Sequence, residues 1–578
     1  MLAATAAAYT APAVSYELSV YGGTPDLFWA GVSIAVTASL AVAMANVRTQ
    51  PLREVSLLLG GASVTTVVVL PLIRGYYQFG SEDSLTHLGW TRDIVAGRLD
   101  PVSMLYPGVH LMTILVGEVL GARFGRAQML VVVAFVLVFL VFVPKCVDIL
   151  GRTAWAVPVG AFSAFLLLPN NNVSVHLMIH PISQTLFFLP FILYLLLFHV
   201  SGTDEPTARL DVATPMGALL ALSAVALVVL HPQGALNVIA VLLTVAGAQF
   251  LIRRLDVENP IARHRPVYVP TAIALVAFLL WAPRHPRVQG TVDAVVTGLL
   301  QGSTPADEIA QRSASLDILG AGIAVLFTKL FIVSAVVCLV AGLVVLAWWT
   351  GRLNARNSLV EYVVVSLVPL SAAFAVFFAS SMTTQHFRYV GFLMVPVTIL
   401  GALGISNGAA HLHRRLGSTR TKVALVVVFL LLIPLPLATV HASPFIYRPS
   451  PDVTRSELSG FETTVEYMDH DIPFVGIRKG PRRQLDGIYG TVGSAEMDLR
   501  GETAAIPEQV FTTNVTTHYD SRRYVPVSRS TYQREVVLYD GFRYPASAFE
   551  RLRTGVGVDR VQTNGAYRLY LLGNESAT

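Results

Sequence analysis

Apolar residues fill most of the chain in blocks of about 17 to 22, broken by short polar turns. As helices, blocks of that length match the ~30 Å hydrocarbon core of a bilayer. The pattern predicts about twelve spans. They are Leu27–Ala45, Val55–Ile73, Ala127–Val143, Thr153–Leu168, Ser183–His199, Pro215–Leu230, Ala235–Ile252, Tyr268–Pro283, Lys329–Trp349, Leu359–Ala379, Arg388–Ile405 and Val423–His441. One further apolar segment, Tyr106–Gly121, opens on Pro107-Gly108 and carries Glu118, which weakens it as a span. After His441 the pattern changes. Residues 445–578 are rich in charge, Pro and Tyr, with β-like runs at Pro473–Ile477, Glu535–Tyr539 and Tyr567–Leu572. Asn564-Gly565, between Arg560–Gln562 and Tyr567–Leu572, is a hairpin turn signal. This segment is expected to form a small soluble domain, mixed α/β or mostly β.

Composition sharpens the class. Hydrophobic residues make up 54% of the chain and charged residues only 13%, about half the charged share of a soluble protein. The chain reads as a polytopic α-helical membrane protein. The net charge of +5 comes from Arg gathered in short loops. That is an orientation signal, not a nucleic-acid surface, so no nucleic acid is expected as a partner. Cys146 and Cys338 are too far separated in the pattern to suggest a disulfide or a metal site.

The same arginines orient the spans. Arg48 and Arg53 put the first connection inside, so the loop from Gly75 lies outside. Lys145 with Arg152, the Arg253–Pro266 loop, Arg352 with Arg356, and the Ser406–Lys422 loop are all expected inside. Alternation from these loops starts the Ala127 span outside as well. Tyr106–Gly121 then lies along the outer interface, inside an outer loop of residues 75–126. The tail of residues 1–26 lacks the positive n-region of a secretory signal and is read as outside, as is 445–578. Arg284, Arg287 and Arg312 on the outer side go against the rule. The sequons at Asn172, Asn514 and Asn574 all fall in outer segments.

Polar chemistry collects at the outer ends of the spans. The first loop holds Glu82, Asp83, His87 and Arg92; other outer turns hold His176, His180 and Gln184, His231 and Gln233, Arg284 and His285, and Gln385, His386 and Arg388. Each has a plainer reading. Glu82 and Asp83 suit a helix N-terminus. The i, i+4 pair His176 and His180 is either a metal pair on a helix face or interfacial packing. His231 before Pro232 suits a tight turn, and Arg388 suits a snorkelling anchor. The chemical reading is that an outward carboxylate takes the proton of an acceptor hydroxyl while cations meet a departing phosphate.

The acidic pair Glu82-Asp83 after an early span, followed by Tyr106-Pro-Gly-Val-His110, resembles the first outer loop of the GT-C superfamily of membrane glycosyltransferases. His386-Phe-Arg-Tyr-Val-Gly-Phe-Leu-Met-Val-Pro396 resembles a late Arg-Tyr…Pro span of the same superfamily. The Trp-Trp-Asp motif of its oligosaccharyltransferases is missing, since Trp348-Trp349 lies inside a span. The resemblance, protein mannosyltransferase-like, implies transfer of a single sugar from a dolichyl- or polyprenyl-phosphate donor. The acceptor would be a glycan or glycoprotein on the outer face of the cytoplasmic membrane, as in protein glycosylation or surface-glycan assembly. Residues 27–441 would be the GT-C-like membrane domain. Asp83 would be the base, with Glu82 its partner or the ligand of a divalent metal; the cofactor stays open. Arg388, His386 and Arg284 would hold the donor phosphate, with His87, His176 and His180 in supporting roles. Abundant Arg beside only Lys145, Lys329, Lys422 and Lys479 suggests a GC-rich bacterial or archaeal source.

Two rivals remain. A transporter or flippase of lipid-linked sugars would need ionisable groups near the bilayer midplane and broken helices. The spans carry almost none, Glu361 and Lys329 lying near span ends. A membrane-anchored surface protein would have no need of an acidic outer loop ahead of an interfacial helix.

Overall fold

A computed structural model describes residues 1–202, 214–301, 322–380, 385–499 and 505–573. Among these, eight helices are long and apolar enough to cross a membrane: Asp26–Ala45, Phe124–Leu150, Pro181–Ser201, Pro232–Arg254, Ile323–Trp349, Asn357–Ala379, Gln385–Leu416 and Ser418–Ala438. Most helix cores lie inside the expected blocks, but several run on past them. Gln385–Leu416 carries Arg414 and Arg415 within its last turn, where a loop was expected from Ser406. Apolarity ends before hydrogen bonding does, because a helix leaving a bilayer loses no backbone bonds in water.

The other expected spans are shorter. Pro215–Leu230 has 16 residues and Tyr268–Trp281 has 14. Gln50–Val68 is followed by Leu70–Ile73, which has Pro71 in its first turn. Thr153–Leu168 differs most. Its helix is only Ala156–Ala164, nine residues or roughly 14 Å long, too short to cross. The chain beyond it, Phe165 to Leu168, is irregular and buried, with Leu167 at φ 48°. Non-helical backbone at this depth is tolerated where protein covers it.

Gly108–Leu120 is the helix expected along the interface. It buries Val109, His110, Thr113 and Gly117 on one stripe and exposes Leu111, Leu115, Val119 and Leu120 on the other. Thirteen residues span about 20 Å, so it too is short for a crossing. Gly121 ends it at φ 58°, a conformation glycine adopts without strain.

The C-terminal segment is mixed α/β. Three antiparallel strands stand in the order Arg523–Ser528, Tyr567–Leu572, Val558–Thr563. The Asn564-Gly565 turn joins the last two as expected, and the Asn564 side chain accepts from the N–H groups of Ala566 and Tyr567. Two expected strands are corrected. Glu535–Tyr539 falls in a π-helical turn, Gln533–Leu538. Pro473–Ile477 forms only the isolated bridges Phe474 to Tyr524 and Gly476 to Ala505.

The C-terminal segment shares a core with the loop that follows the second helix block. One of its cores takes Leu85 and Leu88 from the Asp83–Val95 helix and packs them on Leu458, Phe461, Leu485, Ile488 and Tyr567. At Gly89 a Cβ would lie 2.4 Å from the carbonyl oxygen of Asp486, so only glycine lets the helices Asp83–Val95 and Arg482–Tyr489 approach this closely. Gln78–Phe79 pairs with Asp452–Val453 as a two-stranded ladder. The N-terminal tail docks as well: Glu17 accepts from Arg74 at 2.5 and 2.7 Å.

Among the expected sequons, Asn172 is buried and its amide donates to the carbonyls of Thr439 and Val440, so it is closed to modification in the folded chain. Asn514 is exposed. Asn574 and Arg312 lie outside the described residues. Both cysteines are free.

Candidate active site

Glu82 and Asp83 open the Asp83–Val95 helix, but Glu82 makes no side-chain cap. Its backbone sits at φ 55°, ψ −117°, a region that non-glycine residues rarely occupy. Its carboxylate instead meets Lys479 Nζ at 2.9 Å. Asp83 Oδ1 lies 2.8 Å from Arg483 Nη2, and its side chain is 55% exposed. The plainer reading of the pair as a helix cap therefore fails for Glu82.

One turn along the helix, His87 is buried with its Nδ1 3.1 Å from Nε2 of His110. Burial, then the neighbouring imidazoles, push His87 well below its ordinary value; burial pushes His110 down to about 3. Both rings are neutral at neutral pH. Trp90, Tyr106 and His231 complete an aromatic wall: Tyr106 stacks on His231 at 5.2 Å, and Trp90 meets His87 edge-on at 5.3 Å. The Tyr106 hydroxyl accepts from Arg287 at 3.3 Å.

Arg388 reaches the same wall from the first turn of Gln385–Leu416. Its guanidinium donates to Gln233 Oε1 at 3.2 Å. After burial, its charge is the largest influence lowering His180, to about 4, and His231, which falls well below the ordinary value. It also bears on His176, whose lowering is due to burial first and to Arg448 and His180 next. Asp83 acts in the opposite sense on His180. The Tyr106 hydroxyl is raised by burial and pulled in opposite directions by Asp83 and Arg388. Asp83 and Arg388 thus bear on the same two groups. A half-exposed carboxylate and a guanidinium lie near a cluster of buried imidazoles. Such a set can take a proton on one side and hold an anion on the other.

The other expected residues separate. His176 and His180 have ring centroids 5.8 Å apart, but they lie on irregular chain and not on a helix face. His180 is the residue before the Pro181–Ser201 helix, with its Nδ1 3.0 Å from Ser183 Oγ. Arg284 donates to the Val102 carbonyl at 2.7 Å and lies over the Trp281 ring, so it braces the loop before Tyr106. His386 is buried among the rings of Phe374, Phe378 and Phe387. Arg92 lines a separate cleft of about 390 Å³ with Tyr77, Glu118 and Arg123. Among the described residues, no group of three or more His, Cys, Asp or Glu is placed to hold a metal ion.

Sequence reasoning missed Arg287, His110, Lys479 and Arg483 as members of the site. Tyr106 and His110 were visible only as the opening turn of a helix; their i, i+4 spacing is the signal that puts both rings on one face. Lys479 and Arg483 come from the far end of the chain, and no local spacing ties them to Glu82 and Asp83.

No family model and no curated protein matches the sequence. Solved structures similar to it include ArnT from Cupriavidus metallidurans bound to undecaprenyl phosphate. That likeness covers 91% of this chain and 99% of that one, at 12% identity and a TM-score of 0.47. Another is the archaeal oligosaccharyltransferase AglB from Archaeoglobus fulgidus in complex with an inhibitory peptide and a dolichol-phosphate. It covers 91% of this chain and 74% of that one, at 12% identity and a TM-score of 0.49.

Proposed function

We propose that the chain is a membrane glycosyltransferase of the GT-C type, moving a sugar from a dolichyl- or polyprenyl-phosphate donor to a glycan acceptor. The observation that carries this reading is geometric: half-exposed Asp83, paired with Arg483, opens the helix whose buried His87 joins His110, Tyr106 and His231 in one ring cluster, and Arg388 is bonded to Gln233, two residues on from His231. The acceptor hydroxyl attacks the anomeric carbon and gives its proton to Asp83. The bond from that carbon to the phosphate oxygen breaks, and its electron pair stays on the phosphate. Arg388, with Arg287 at Tyr106, offsets the charge that develops there. Neutral His180 and His231 offer N–H donors without competing for the proton. The lipid tail would stay among the apolar helices. Glu82 is the partner of Asp83 or a ligand of a divalent metal. The loop 75–126 and residues 445–578 would face the outside of the cytoplasmic membrane.

The test is sugar transfer from tritiated polyprenyl-phosphate hexoses in membranes carrying wild type or Asp83→Asn. Transfer by wild type and its loss in the variant is the expected result. Equal transfer by both would remove Asp83 as the base, and a wild type inert across the donor panel would remove the enzyme class.

A further inference from the structure

We propose that Arg483, assisted by Lys479, is a positioning residue for the transfer: the C-terminal segment supplies the two cations that aim the acidic pair. This rests on the reading of Asp83 as the base.

The geometry begins with two strained residues on opposite sides of one interface. Glu82 has φ 55° and Arg478 has φ 66°; neither is glycine. Such conformations persist where the surroundings over-determine them. Arg478 is held from behind. Its Nε lies 2.7 Å from Glu535, a fully buried carboxylate, and its guanidinium sits over the Tyr539 ring. The next residue, Lys479, is thereby turned outward, and its ammonium meets Glu82. Gly480 and Pro481 lead into the Arg482–Tyr489 helix, whose approach to Asp83–Val95 is set by the Gly89 contact with Asp486. That packing delivers Arg483. Its guanidinium bridges Asp83 Oδ1 and the Thr86 hydroxyl, two groups on one face of the Asp83–Val95 helix.

These pairs do little to hold the interface together. The side chains of Lys479 and Glu82 are 69% and 45% exposed, and exposed pairs stabilise weakly. Leu85 and Leu88 on Leu485 and Ile488 dock the helices instead. What the cations change is orientation. A free Asp side chain at a helix start turns about two bonds. With Oδ1 held by Arg483, Oδ2 is left at a defined place to accept the acceptor's proton. A base displaced from its productive geometry loses rate without losing donor affinity.

The experiment measures kcat and donor KM on the purified full chain, using the polyprenyl-phosphate hexose that wild type turns over. The variants are Arg483→Gln, Arg483→Lys, Lys479→Gln, Asp83→Asn and the double variant Asp83→Asn/Arg483→Gln. Arg483→Gln should lower kcat about ten- to hundredfold with KM within about threefold, and Arg483→Lys should restore part of it. Lys479→Gln should cost about two- to fivefold. In the Asp83→Asn background, Arg483→Gln should add no further loss, because its effect runs through the carboxylate. A merely structural role would give the same further loss in both backgrounds and would overturn the proposal. So would wild-type kcat in Arg483→Gln while Asp83→Asn is inactive; that outcome leaves the base assignment standing. Wild-type transfer by Asp83→Asn would sink the base assignment and the positioning role with it. If Arg483→Gln does not fold, Arg483→Lys and Lys479→Gln carry the test, and wild-type kcat in both would overturn it.

Discussion

The two aspartates of the Asp83–Val95 helix sit at its opposite ends in opposite settings. Asp93 is fully buried. It meets Arg98 at 2.9 Å and accepts from the Thr491 hydroxyl and the Val492 N–H, both also at 2.9 Å. Asp83 is half exposed, touches one guanidinium, and follows a strained residue. The first pattern is that of a carboxylate that fastens two pieces of chain: it is buried and both of its oxygens are engaged. The second leaves contact capacity open and stores strain nearby, which is costly unless something uses it. Charge alone does not distinguish them; burial and the number of satisfied contacts do.

The comparison breaks most sharply under amide substitution. Asp83→Asn should lower transfer roughly hundred- to ten-thousandfold, the range of a general base, while the thermal midpoint stays near wild type. If instead Asp83→Asn unfolds the chain and keeps its specific activity, the two ends have exchanged roles. On the anion side, Arg388→Ala should cost about a hundredfold in kcat, and Arg388→Lys should recover only part, because an ammonium lacks the planar fork. A wild-type rate in Arg388→Ala would return that residue to a headgroup anchor.

At the buried end the expected loss is in stability. Asp93→Ala removes the carboxylate that the Val492 N–H, the Thr491 hydroxyl and Arg98 share, at a cost of about 3 kcal/mol. Chemical unfolding of the detergent-solubilised chain measures it. A change under 1 kcal/mol would mean that water replaces the carboxylate, and the fastening role would fail.

This contrast also explains what the sequence revealed. Block length was enough to read the membrane class and the short Gly108–Leu120 helix, because those follow from local pattern. The Thr153–Leu168 block shows the limit. Its composition suits a span, yet Leu167 turns left-handed and the chain leaves the helix inside a protein-covered environment. Apolar composition reports burial, and protein buries as well as lipid. Asp83 and Arg388 were legible as polar residues at helix starts. Their partners were not: Arg483 and Lys479 arrive by packing of the C-terminal helix, and Arg284 and Arg287 look alike until one braces Val102 and the other reaches Tyr106. The Arg523–Ser528 strand was hidden by Pro526 in its middle, although it pairs along its whole length with Tyr567–Leu572.

The smallest expected effect concerns His180, an imidazole that feels the charge of Asp83. His180 is pushed down to about 4 by burial and by Arg388, partly opposed by Asp83. An unfolded histidine titrates near 6.5. Above that value both states are neutral and the ring contributes nothing to pH dependence. As pH falls from about 6.5 toward 4 the unfolded state binds the proton first, so folding stability drops by about 1.4 kcal/mol per pH unit for this ring, and levels off below 4. His180→Gln removes the titration. Between pH 7.5 and 5.5 the variant should therefore lose about 1.4 kcal/mol less than wild type, read as the difference between two unfolding curves so that the titrating carboxylates cancel. Burial first, and then the charge of Arg388, keep that ring neutral. An identical loss in both chains would mean the ring is wet, and the division of the site into a solvent-facing base and a dry anion wall would fall with it.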